Sequence, residues 1–137
     1  MVYLTRVEYF NAAHKLYNPD WSDEKNLQEF GKCSNPNWQG HNYELHVTIK
    51  GEVNKETGYI FNAKTLGAIV QNEVLEKIDH KNLNLDVPFM KGIMPSAENI
   101  AIAIWNQIAD KIKEKGGHLH CIKLYETKKI YVEYYGN

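Results

Sequence analysis

Hydrophobic and polar residues alternate along residues 39–51. Tyr43, Leu45, Val47 and Ile49 fall on one side, and Glu44, His46, Thr48 and Lys50 on the other. Successive side chains of a strand point to opposite faces, so this period of two predicts a strand with one apolar face. Residues 2–10, VYLTRVEYF, also alternate and are rich in Val, Tyr and Phe, which predicts a second strand. A turn follows at Asn54–Gly58, and the period then changes. Over 63–78 the apolar residues are Leu66, Ile69/Val70, Val74 and Ile78, a helical spacing. A second helix follows Pro95-Ser96, with Ser96 as N-cap, a stripe of Ile100, Ile104, Ile108 and Ile112, and Gly116-Gly117 as its end. Residues 118–127 and 130–135 return to strand character. Residues 15–38 are polar and irregular, with Pro19, Gly31 and Pro36, and read as a long loop of the kind that carries function or moves.

The predicted order is β-β-α-α-β-β, with no repeat or linker, in a single domain over 1–137. Two hairpins separated by two helices predict an α+β layer: an antiparallel four-stranded sheet with two helices on one face. Such a sheet has two open edges, which are blunted or paired with another subunit. The last strand, IYVEYY, is aromatic and weakly protected, which favours assembly.

Composition narrows the function classes. The chain has 137 residues, 43% of them hydrophobic, enough for a core of ordinary size. Sixteen Lys and Arg against 17 Asp and Glu leave a net charge of −1, so there is no basic field for nucleic acid and no basic block for a membrane surface. One pocket can still be basic. No segment approaches the roughly 20 apolar residues of a membrane span. Two cysteines, Cys33 and Cys121, are too few for a disulfide framework, and free thiols without a signal-peptide pattern point to the cytoplasm.

The chemistry concentrates in CSNPNWQGHNY, Cys33–Tyr43. Gln39, His41 and Tyr43 share a parity and hence a face. His14, just after the first strand in FNAAHKL, is ordinary taken alone. Two histidines from paired strands can converge on one metal, yet catalytic zinc takes three protein ligands and keeps a fourth position open, so the spacing alone is a weak signal. Cys33 is either an inert thiol or, among polar neighbours, a base or nucleophile. Cys121 lies in an apolar alternation and is expected in the core. In Asp79-His80 the carboxylate either orients the imidazole and raises its basicity or simply dresses a helix end. Glu126 ends the third strand; it is either solvated or a two-oxygen acceptor for paired N–H donors of a flat heterocycle. His46 points away from His41. His118 and His120 share a parity with Glu126 and read as structural.

FNAAHKL, FGKCSNPNWQGHNYELHVTIKGEV, TGYIFNAKTL, IDHKNLNLDVPF, PSAENIAIAIW, YET and a Tyr134–Gly136 tail occur in that order over nearly the whole chain. Together they resemble the 6-pyruvoyl-tetrahydropterin synthase family. The resemblance implies the tunnelling fold (T-fold), in which three subunits pair edge strands into a twelve-stranded barrel and two trimers stack into a homohexamer with active sites between subunits. It implies a lyase that converts 7,8-dihydroneopterin triphosphate to 6-pyruvoyl-tetrahydropterin with loss of triphosphate. It also implies zinc held by three histidines: His14 and His41 match two, and Gln39 stands in the place of the third. Cys33 matches the cysteine that removes a proton from the side-chain carbon next to the ring. Asp79 and His80 match a proton-relay pair, Glu126 the acid that anchors the pterin, and Ser96 and Glu98 further pterin contacts.

A glutamine oxygen is a harder and weaker donor to zinc than an imidazole, so the resemblance implies a weakened metal site. Two other readings stand beside it: a 6-carboxy-tetrahydropterin synthase of the queuosine route, and a pterin-binding paralogue whose metal site is impaired by Gln39.

Overall fold

The computed structural model describes residues 1–137. Strand β1 (Val2–His14) pairs antiparallel with β2 (Gln39–Gly51) along its whole length, from Val2 opposite Gly51 to His14 opposite Gln39. β1 therefore runs on past the predicted residue 10. Its alternation continues through Phe10, Ala12 and His14, all buried on the core face, so the ladder with β2 outweighs the weak strand preference of the two alanines. His14 lies inside the sheet instead of following it.

β4 (Leu119–Thr127) pairs with the far side of β2, and β5 (Ile130–Tyr134) forms a hairpin with β4. With β3 (Lys81–Asn82) the sheet has five strands, in the order β3-β1-β2-β4-β5, where four were predicted. The extra strand is two residues long and parallel to β1. It is too short to show a period. It forms because the His80 N–H donates to Asn11 O at 2.6 Å and the Leu83 N–H to Ala13 O at 2.8 Å.

The predicted loop over 15–38 contains a helix, α1 (Asp23–Phe30). Ser22 caps it by accepting from the Lys25 N–H, and Gly31 closes it at φ 56°. No apolar stripe announced it, because its one buried residue is polar. Asn26 accepts from the Asn18 N–H at 2.7 Å and donates to Asn18 O and Ser22 O, both at 3.0 Å. Gly31–Ser34 then forms a 3-10 turn that carries Cys33.

The predicted helix over 63–78 is α2 (Ala63–Val70), a π turn at Gln71–Leu75 and α3 (Glu76–Ile78). The extra residue of the π turn lets Val74 and Leu75 both face the core. Helix α4 (Ala97–Glu114) starts at Ser96, whose hydroxyl accepts from the Asn99 N–H at 3.2 Å. Ile100, Ile104, Ile108 and Ile112 of the predicted stripe are 0% exposed, while Ile102, off the stripe, is 37% exposed. The chain leaves α4 through Gly116 at φ 84° and Gly117, where a Cβ would meet Phe61 at 2.6 Å.

The helices cover one face of the sheet, against Tyr43, Leu45, Val47, Ile49, Ile122 and Leu124. The other face is polar: Thr5 and Thr48 share a 2.7 Å hydrogen bond, His46 meets Glu44 at 2.6 Å, and the Lys123 ammonium sits 4.2 Å from the Tyr131 ring centre. Cys121 is buried, but it pairs with Thr48 and belongs to this polar face rather than the core. A bulge opposite Thr48/Ile49 leaves His120 without a register partner and breaks the parity along β4. His120 therefore packs on Tyr3 and Tyr135, away from the face that carries Glu126. No helix is long and apolar enough to cross a membrane.

Beyond Ala12–Ala13 the outer edge of β1 has no strand partner in the chain, and β5 forms the opposite edge. Val7, Tyr9, Ile130 and Tyr131 are exposed along these two strands.

Candidate active site

The ends of β1, β2 and β4 meet at one end of the core face. Register puts His14 opposite Gln39 and Ala12 opposite His41, so the two imidazoles come from adjacent strands and meet edge to face, ring centres 4.8 Å apart. His14 is fully buried, and its Nδ1 lies 2.8 Å from Pro95 O. A carbonyl only accepts, so Nδ1 carries the proton and Nε2 keeps its lone pair. This is the arrangement by which a backbone carbonyl orients a metal-ligating histidine.

Four buried polar atoms here lack a hydrogen-bond partner: His14 Nε2, His41 Nε2, Gln39 Oε1 and Tyr43 Oη. Each unsatisfied buried group costs about 1–3 kcal/mol, so four on neighbouring side chains mark a place suited to an electrophile. The donor set fits a divalent cation, with two imidazole nitrogens and an amide oxygen on one sheet face. His14, His41 and Glu126 each offer a ligand atom within 4.8 Å of the others, the one such group of His, Cys, Asp or Glu in the chain. His41 Nε2 and Glu126 Oε1 are 3.9 Å apart. Burial lowers the pKa of His41, Glu126 opposes that and His14 adds to it, so the imidazole is held in its neutral, ligating form. Burial first, and then Glu126 and Cys33, push the Tyr43 hydroxyl far above its ordinary value.

Cys33 is half-buried in the 3-10 turn, which is tied to the segment after β1 by the Leu16 N–H donating to Cys33 O at 2.7 Å. Its thiol pKa is raised, first by burial and then by Glu126. The protein's own groups therefore favour the neutral thiol, and a positive charge added beside Glu126 acts in the opposite direction. The turn enters β2 through Trp38, whose φ of 68° is left-handed and costs a bulky residue about 1–2 kcal/mol. Lys15 lies 5.1 Å from the Trp38 ring and 5.0 Å from that of Tyr17.

Asp79 and His80 lie beyond β1. His80 Nδ1 is 3.0 Å from Asp79 Oδ1, which also accepts from the Asn11 N–H at 2.9 Å. The His80 side chain is 78% exposed, at φ 61°. Within one chain no hydrogen bond or ion pair joins this dyad to the His14–His41–Glu126 group. Ser96 is occupied as the cap of α4, one residue after the carbonyl that holds His14. Glu98 is exposed in the first turn of α4.

Two residues of the site escaped the sequence reading. Tyr43 was visible as a parity partner of Gln39 and His41, without a role. Pro95 had no local signal, since its contact with His14 spans 81 residues.

The family profile described as 6-pyruvoyl tetrahydropterin synthase matches residues 3–137. The 6-pyruvoyl tetrahydrobiopterin synthase of Pongo abelii is 42% identical over 127 residues, 93% of this chain and 86% of that protein. The protein of the same name from Dictyostelium discoideum is 42% identical over 135 residues, 98% of this chain and 96% of that one. The structure of Caenorhabditis elegans 6-pyruvoyl tetrahydropterin synthase superposes with a TM-score of 0.93 at 34% identity, covering 99% of this chain and 96% of that chain.

Proposed function

The chain belongs to the 6-pyruvoyl tetrahydropterin synthase family, and on that premise we propose that it converts 7,8-dihydroneopterin triphosphate to 6-pyruvoyl-tetrahydropterin with elimination of triphosphate. It is an enzyme of the lyase class, as its relatives are. The observation that carries the reading is the convergence of His14, His41 and Glu126, with Nε2 of both histidines buried and unpartnered and the likewise unpartnered Gln39 Oε1 on the register partner of His14.

In this reading His14, His41 and Gln39 hold a zinc ion. Bound there, zinc would polarise the hydroxyls of the substrate side chain and ease proton loss from the adjacent carbon. Cys33, as the thiolate that a cation beside Glu126 would favour, accepts that proton at Sγ. Glu126 accepts N–H hydrogen bonds from the pterin ring and so keeps the carbon within reach of Cys33. Ser96 and Glu98 add contacts to the ring. Asp79 holds the His80 imidazole, which moves a proton on and off the side chain.

The Asp79–His80 dyad is separate from the histidine cluster within one chain. The reading therefore has it complete the pocket of a neighbouring subunit in a homohexamer, a dimer of trimers whose sheets join as a T-fold barrel. The exposed apolar side chains on β1 and β5 support that assembly.

Gln39 favours a second reading, a pterin binder with an impaired metal site. One assay separates the two: the protein is incubated with 7,8-dihydroneopterin triphosphate and Zn(II), released triphosphate is quantified and the pterin product is identified by mass. Release with a pyruvoyl side chain supports the lyase. A carboxylated product supports the 6-carboxy branch. Tight pterin binding with no release supports the binder.

A further inference from the structure

We propose that Glu126 is itself a ligand of the metal, so that the centre of this chain is a two-histidine, one-carboxylate set in which the Gln39 amide is the weaker partner. The inference rests on the metal-binding part of the function proposed above. It gives Glu126 a second task beside the ring.

The geometry carries it. In a tetrahedral site with bonds of about 2.1 Å, ligand atoms lie roughly 3.4 Å apart. His41 Nε2 and Glu126 Oε1 are at 3.9 Å, and all three donor atoms of His14, His41 and Glu126 lie within 4.8 Å of one another. Closing the set takes side-chain shifts of about 1 Å. Glu126 stands at the end of β4, its side chain 20% exposed and its carboxylate engaged in no hydrogen bond within the chain, so nothing holds it back.

Charge decides between carboxylate and amide. Two imidazoles and an amide leave both charges of a divalent ion uncompensated in a largely buried pocket. Glu126 cancels one of them directly, and because its side chain is 20% exposed its desolvation is only partial, whereas the amide offers no charge at all. Gln39 Oε1 remains as an additional neutral oxygen.

The metal preference follows. A three-imidazole site suits zinc, whereas two histidines and a carboxylate form the set that also accommodates harder first-row ions such as iron(II). A monodentate carboxylate leaves its second oxygen free to accept from a ring N–H. Metal and ring are then coupled through one side chain, and the coupling is reciprocal.

The test uses metal alone. The full chain is stripped with a chelator and titrated with Zn(II) and with Co(II) against a competing indicator, without pterin, for wild type, Glu126→Gln, Glu126→His and Gln39→Leu. Glu126→Gln is expected to lose about tenfold or more in affinity for both ions and to change the visible Co(II) spectrum. Gln39→Leu is expected to lose less. Glu126→His is expected to recover zinc affinity, which separates a lost ligand from a lost fold. The proposal is overturned if Glu126→Gln binds as wild type does, or if Gln39→Leu suffers the larger loss. Should wild type bind neither ion, both the inference and the metal part of the proposed function fall. A pterin titration on the same metal-free protein then shows whether the substrate reading survives.

Discussion

His14 and Gln39 are register partners across β1 and β2, and each ends in a buried polar atom without a hydrogen-bond partner: a ring nitrogen on one side, an amide oxygen on the other. One further imidazole, His41, stands on the same face. This pairing of a strong ligand with a weak one sets the first expectation.

Gln39→His places an imidazole opposite His14 without altering the ladder. Zinc affinity is expected to rise by roughly 10-fold or more, the scale on which even partners behind the ligands affect metal binding. Chelator competition measures it, with turnover followed in parallel. Unchanged affinity and rate would mean that residue 39 does not face the metal.

Cys33→Ala removes the proposed base and little else, because the turn is anchored by the backbone oxygen of residue 33. Turnover is expected to fall by about 10²–10⁴-fold with pterin affinity retained. Stopped-flow rates and a fluorescence titration of pterin separate the two effects, and full turnover in the variant would remove Cys33 from the mechanism.

Ser96 has a structural task that is certain to register. Ser96→Ala is expected to cost about 1 kcal/mol of stability through loss of the α4 cap, while Ser96→Asp keeps the cap and the stability. Urea denaturation reads this. A contact with pterin would appear separately, as weakened binding in the Asp variant at undiminished stability.

Sites shared between subunits predict complementation. Cys33→Ala and His80→Ala are each expected to be nearly inactive, yet subunits of the two, unfolded together and reassembled, should regain part of the activity. Some pockets then receive an intact Cys33 from one subunit and an intact His80 from another. If the mixture stays as inactive as its components while its mass is that of the native oligomer, each pocket is built within one chain.

The parts of the fold legible in the sequence are those with a period and a boundary. β2 shows strict alternation, and α4 has a serine cap, four isoleucines one turn apart and a glycine exit. α1 was illegible because Asn26, its buried residue, is held by hydrogen bonds, a device with no apolar pattern. β3 and the π turn were illegible because each is a few residues long and is decided by what it packs on. The face of His120 was misread because a bulge, invisible to a strict count of two, resets the parity within β4.

The site divides along the same line. The sequence by itself put Gln39, His41 and Tyr43 on one face, because alternation within a strand is a local property of the extended backbone. It also held the motifs that mark the family. Only the tertiary structure decided that Glu126, and not the exposed His80, stands with the two histidines, and that the Pro95 carbonyl chooses the His14 tautomer. The first depends on which strand lies beside β2, and the second on where the segment leading into α4 passes the end of β1. Strand order and docking are settled by burying the whole apolar face at once, and residues far apart in the chain meet only as a consequence of that burial.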